Sequence, residues 1–304
     1  MTDPVMTVAS LFQGAALAAH MPTAQGLLNM ACPAQVSAGT QAALTGAQGE
    51  RFTVSRGLAV VPLRGLITPN MFVLERWLGW STCHGIEATM GELAASDDVA
   101  AIVLVCDSPG GNALAVPGAA AAVAAANAVK PVHALIHPLC ASAAYWIASQ
   151  ARDIAITPGS WVGSVGVLHT AMHPVQPGAS GFQMFLQASS HARAKVPDPS
   201  TDTGRAEVQR RLDAMEADFH ASVAAGRGLS VEDLRSRMST TDNPADGGAV
   251  FWGQEAVTRG LADTVETEAA FWQRIGAAYA PRPARTTRRG AQARAAAAQA
   301  LASI

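Results

Sequence analysis

Val99 to Cys106 (VAAIVLVC) is an unbroken apolar run that stops at Asp107-Ser108-Pro109-Gly110-Gly111. A strand with no polar face must be covered on both faces, the situation of a strand inside a parallel sheet packed between helices. The neighbouring segments repeat that theme. Leu58 to Leu63 is a short apolar run ended by Arg64-Gly65, and Ile86, Met90 and Leu93 then fall at helical spacing. An Ala-rich helix follows the glycine pair to about Val129. Val132 to Ile136 reads as a strand, Ala143 to Gln150 as a helix and Asp153 to Ile156 as another strand. Such alternation predicts an α/β fold of repeated β-α units with a largely parallel sheet core. Beyond a Gly/Pro-containing stretch at 158–181, Val208, Leu212, Met215, Phe219 and Val223 form a stripe. That spacing predicts an amphipathic helix packed back on the core. A further helical segment begins near Val231, and Gly247 to Asp263 closes the domain.

This pattern divides the 304 residues into an N-terminal arm (1–50), one main domain (51–278) and a tail (279–304). The tail carries Arg282, Arg285, Arg288, Arg289 and Arg294 with no acidic residue, and reads as a disordered, solvated segment. A contact with nucleic acid or an acidic partner is its sharper reading. The chain as a whole has 49% apolar and 14% charged residues, which excludes a disordered protein or a charged coiled coil. Its net charge of −2 exerts no global pull on nucleic acid. Cys32, Cys83, Cys106 and Cys140 form no CxxC pair and no metal-ligand spacing, so reduced, mostly buried thiols are expected. The first basic residue is Arg51, so Val8 to Ala19 has the wrong flank for an export signal. The run from Ala113 to Val129 is broken by Pro117, Gly118 and Asn127, and no membrane insertion is expected.

Three places join a strand end, a tight turn and a small polar residue. Gly110 and Gly111 can turn backbone N–H groups outward beside a helix start, which is what an oxyanion hole requires. An ordinary loop is the plainer alternative. Ser142, in Cys140-Ala-Ser-Ala-Ala-Tyr-Trp146, stands at a helix N-terminus. It is either an N-cap or a nucleophile among small residues, with the N–H of Ala143 as a second oxyanion donor. The chain has no GxSxG string, so this is not the α/β-hydrolase elbow. The third place is Gly163-Ser164-Val165-Gly166-Val167, where glycines let another backbone approach.

A serine nucleophile needs a base. His133 and His137 sit in or beside a strand, and His169 and His173 lack the glutamate of a zinc HExxH motif. Of 21 basic residues only Lys130 and Lys195 are lysines. Arginine cannot serve as a base, whereas a desolvated lysine can lose its proton near neutrality. Lys130, before Pro131, occupies a structural position; Lys195 lies in the small-residue loop Ser189 to Asp198, near Arg193.

Together these strings resemble the signal peptide peptidase A family of serine peptidases, especially its phage branch of prohead or capsid-assembly proteases. The resemblance rests on DSPGG at 107–111, ASAAYWIAS at 141–149, GSVGV at 163–167, FHASVAAGRG at 219–228 and GQEAVTRGLAD at 253–263, in the family's order. It implies a Clp protease/crotonase-like fold and a Ser–Lys dyad of Ser142 and Lys195. Gly110 or Gly111 with Ala143 would form the oxyanion hole. Gly163, Ser164, Val165 and Gly166 would line the substrate backbone. It further implies no metal or cofactor, a homo-oligomer, and polypeptide substrates such as scaffold, capsid or portal proteins and the chain itself. The place of action would be the host cytoplasm or the assembling prohead. The loop before Lys195 and the stretch Leu168 to Phe182 depart from the family's pattern. Three other readings stand beside this one: a decayed scaffold-type protein, a soluble bacterial peptidase degrading signal peptides, and an acyl-CoA hydratase or isomerase on the same fold.

Overall fold

The computed structural model describes residues 7–12, 15–32, 51–169, 189, 192, 194 and 197–279. Lys195, and the tail beyond Tyr279 with its arginines, lie outside the described residues. The elements in chain order are β1 (Ala16–Ala19), α1 (Met21–Leu28), β2 (Thr53–Ser55), β3 (Leu58–Ile67), α2 (Phe72–Leu78), α3 (Cys83–Ala95), β4 (Ala101–Asn112) and α4 (Val116–Val129). Then come β5 (Val132–Ala141), α5 (Ala143–Ala148), β6 (Asp153–Ile156), β7 (Trp161–Gly163), β8 (Leu168–His169) and α6 (Asp202–Arg227). The last are α7 (Val231–Met238), β9 (Val250–Trp252), α8 (Gly253–Thr258), β10 (Thr264–Val265) and α9 (Glu268–Tyr279).

The expected α/β alternation is present, and β3, β4, β5, β6 and β10 pair in parallel as the centre of one sheet. Its two faces are sorted by the alternation of strand side chains. Ile102, Leu104 and Cys106 of β4 join the main core with residues of α3, α4 and α5. Val103 of β4, with Leu135 and Ala155, is covered instead by Phe271 and Ile275 of α9. The cysteines are free, with Cys83, Cys106 and Cys140 buried as expected. No helix among the described residues is long and apolar enough to cross a membrane.

Two strands run further than the apolar pattern suggested. β4 does not stop at Asp107 but continues through the glycine pair to Asn112, and β5 continues from Ile136 to Ala141. Polar and turn-forming residues hide these extensions from a reading based on hydrophobicity. What keeps β4 extended is pairing on both edges: Leu66 and Ile67 of β3 on one side, and Leu17, Ala18 and Ala19 of β1 on the other. Part of the segment read as an N-terminal arm thus enters the sheet, and Ala18 is fully buried in the main core. β5 accompanies β4 only as far as the Ser108–Cys140 pair. From Pro109 onward, β1 occupies the edge that β5 leaves.

Helix α6 buries Phe219, His220, Val223 and Ala224, whereas Val208, Leu212 and Met215 of the same stripe are only half-buried. The Phe219 ring stacks on Trp146 of α5 with centroids 4.2 Å apart and an interplanar angle of 7°. Since both side chains are buried, Phe219→Ala should leave a cavity and lower the unfolding free energy by about 3–5 kcal/mol. Urea denaturation of wild type and variant measures this directly.

Candidate active site

Strand β5 delivers the chain to Ser142 and α5 carries it away. Ser142 itself is held at φ 56°, ψ −120°, a left-handed conformation that costs a non-glycine residue on the order of 1–3 kcal/mol. Its surroundings fix that geometry. The Ser142 N–H donates to the Gly163 carbonyl at 2.8 Å, and the Ser142 carbonyl accepts from the Trp146 N–H at 2.8 Å. All six residues of α5 are buried. The Tyr145 hydroxyl donates to the Leu261 carbonyl at 3.0 Å, and burial pushes its pKa up. A Cβ on Gly226 of α6 would strike the Ser149 carbonyl, so α6 lies backbone to backbone against the end of α5. Arg227 ties the same corner together through Asp263 at 2.7 Å.

Ser142 is the N-cap residue of α5 by position, but its hydroxyl makes no capping hydrogen bond. The residue is buried. Small side chains surround it: Ala141, Ala143 and Ala144 are fully buried beside it.

The glycine pair lies directly opposite. Gly110 has φ +96°, and a Cβ there would collide with the Ala18 carbonyl and lie 2.9 Å from the Ala143 nitrogen. A Cβ on Gly111 would strike the Ile67 backbone. Both positions exclude a side chain because backbones close in on them. The two N–H groups point opposite ways. That of Gly110 donates to the Ser108 hydroxyl at 3.1 Å, and this hydroxyl donates to the Gly65 carbonyl at 2.6 Å. The Pro109 carbonyl and the Ala113 N–H both bond to the β1 edge, so by the alternation of a strand the N–H of Gly111 faces that edge too. The Gly111 N–H is thus on the edge that pairs with β1, and the Ala143 nitrogen lies close to Gly110. Ser108 is a supporting residue the sequence reading passed over, although its place inside DSPGG is visible there.

Of the GSVGV string, Gly163 is flanked on both sides, by Ala141 of β5 and Val250 of β9. Ser164, at φ 53°, donates its N–H to the Ala249 carbonyl at 2.7 Å. Val165 is buried, and Gly166 stands against Glu216 of α6. Two of the four histidines considered as bases are committed elsewhere: His133 bonds to Asp153 and, at 2.8 Å, to Tyr279, and His137 bonds to Thr157 at 2.9 Å; His169 lies in β8 and His173 outside the described residues. Lys130 is also spoken for, with its ammonium on the Leu93 carbonyl at 3.0 Å and on the Ser96 carbonyl.

A groove of about 530 Å³ opens where β1 gives way to α1, walled by Pro109, Leu139 and Trp161 with Arg64 and Asp107 at its side. Burial raises the pKa of Asp107, while the charges of Arg64 and His137 pull it back. Because the Ser108 hydroxyl serves two buried backbone groups, Ser108→Ala leaves both unsatisfied. A loss of about 1–3 kcal/mol is expected, readable as a lower denaturation midpoint.

Comparison with known proteins adds to this geometry. Residues 124–278 match the model of peptidase family S49. Capsid assembly protease C of Escherichia phage lambda is 30% identical over 226 residues, covering 71% of this chain and 48% of that protein. The head-tail preconnector protein GP5 of Enterobacteria phage P21 is 28% identical over 216 residues, covering 70% of this chain and 41% of that protein. The chain thus spans less than half the length of these relatives. Among solved structures, an enoyl-CoA hydratase from Mycobacterium avium subsp. paratuberculosis shares 14% identity at a TM-score of 0.45, over 79% of this chain and 82% of that one. The family match takes in α5, α6 and the closing strings that hold Ser142 in place, and on it the chain belongs to peptidase family S49.

Proposed function

We propose that this chain is a serine endopeptidase that cuts capsid-assembly proteins during phage head maturation. Ser142 is its nucleophile and Lys195 its base. The observation that carries the reading is the Ser142 turn: a buried serine whose hydroxyl does not cap its helix, with the Ala143 nitrogen close to Gly110 and the Gly111 N–H on the neighbouring strand edge. In the first step neutral Lys195 takes the hydroxyl proton as Oγ attacks the scissile carbonyl. The N–H groups of Gly111 and Ala143 receive the oxyanion, each contributing on the order of 3 kcal/mol to lowering the barrier. The lysine then protonates the leaving amine, and water releases the acyl group under the same base. Residues 164–166 would border the bound chain, and the groove at Pro109 and Trp161 would take residues beyond the cut bond. Support for Lys195 comes from the engagement of Lys130, the other lysine, with main-chain carbonyls of Leu93 and Ser96. Support for capsid-protein substrates comes from the similarity to phage proteins. Assembly into a homo-oligomer and action in the host cell belong to the same reading.

The test is intact-mass analysis of the chain incubated with the capsid and scaffold proteins encoded beside it. Wild type and Lys130→Ala should cut. Ser142→Ala, Lys195→Ala and Lys195→Arg should lose activity by on the order of 10⁴–10⁶-fold, because a guanidinium cannot act as base. Since the base works deprotonated, kcat/KM should fall as pH is lowered through the lysine's pKa. Cutting that survives Lys195→Ala would remove Lys195 from this role.

A further inference from the structure

The edge of β4 that faces Ser142 is not empty. β1 lies on it antiparallel, with Leu17 opposite Asn112, Ala18 opposite Gly111 and Ala19 opposite Gly110. The ladder is bounded by the Ala113 N–H donating to the Ala16 carbonyl at 3.0 Å and the His20 N–H donating to the Pro109 carbonyl at 2.8 Å. On its other edge β1 pairs with β8, Ala16 opposite His169 and Leu17 opposite Leu168. The sequence ALAA is therefore an extended strand held between the glycine-bearing edge and the segment that follows Gly166. An endopeptidase reads its substrate in this manner, by adding an extended chain to strand edges through main-chain hydrogen bonds.

The register gives the comparison its point. Between its bounding bonds the ladder sets the Gly111 N–H toward the Ala18 carbonyl. A Cβ built on Gly110 would touch that carbonyl oxygen and the Ala143 nitrogen alike. The Ala18 carbonyl thus lies on the Gly111 N–H and on the same side of Gly110 as the Ala143 nitrogen, where the Ala141 carbonyl also comes close. Leu17, Ala18 and Ala19 are buried there, and the small side chains of the two alanines suit a site walled by Ala141, Ala143 and Ala144. After His20 the chain turns directly into α1, which has Pro22 in its first turn.

We infer that β1 occupies, in cis, the place of a peptide substrate. Ala18 lies at the residue whose carbonyl Ser142 would attack, so that the chain blocks its own site and the site favours small residues on the acyl side. This rests on the peptidase reading above. Its test is the rate at which a fluorophosphonate labels Ser142 in the full chain and in Leu17→Pro, which disrupts β1 without touching the catalytic groups. Labelling should be at least tenfold faster in Leu17→Pro and absent from Ser142→Ala. Equal rates in wild type and Leu17→Pro would overturn the inference while leaving the peptidase reading intact. No labelling in either would contradict the peptidase reading and the inference with it. Should Leu17→Pro fail to fold, amide exchange of the wild type with the aldehyde of acetyl-Ala-Leu-Ala replaces it. Adduct formation should speed exchange at residues 16–20 at least tenfold; unchanged exchange with the adduct formed, or no adduct, would overturn the inference.

Discussion

The close approach of four backbones at Gly110 and Gly111 is the constraint on which the rest depends. β3 and β1 close on the two edges of β4 there, and the turn at Ser142 meets Gly110 head on. A methyl group at either glycine would push a neighbouring backbone away. The Ser108 hydroxyl, bonded to both Gly65 and Gly110, engages one glycine N–H, while the other faces the edge along which β1 lies. Donors held in place before any charge develops need no reorganisation when it does, which is the physical advantage of building an oxyanion site from main chain.

The second requirement is a helix that cannot move. α5 is six residues long, too short to be stable alone, and it holds Ser142 at a strained φ. Its rigidity comes from neighbours distant in sequence. Phe219 stacks on Trp146, Leu261 accepts from Tyr145, Gly226 lets α6 lie against Ser149, and Arg227 joins Asp263. The strings FHASVAAGRG and GQEAVTRGLAD thus supply the wall against which α5 packs.

Much of this was legible in the sequence because burial leaves a periodic trace. The apolar runs at 58–63, 99–106, 132–136 and 153–156 mark the parallel core, and Ser142 stands between a strand and a helix as its string predicted. What was not legible is pairing that leaves no hydrophobic pattern. Ser108-Pro109-Gly110-Gly111 has the composition of a loop yet lies in a strand, because two partners hydrogen-bond its backbone. Ala16 to Ala19 has no alternation to announce a strand, and its place is set by a register with residues some ninety positions away. The conformation of Ser142 was hidden for a related reason: an N-cap and a nucleophile have the same sequence signature, and neither the positive φ nor the absent cap hydrogen bond can be read from it.

The central claim is that the main-chain amides of Gly111 and Ala143 and the hydroxyl of Ser142 converge on one carbonyl. A crystal structure of the chain with a peptide boronate bound covalently tests it most directly. The account predicts a bond from Ser142 Oγ to the ligand, with the ligand oxygen about 2.7–3.1 Å from both amide nitrogens. A ligand bonded to another residue, or an oxygen turned away from Gly111 and Ala143, would contradict it.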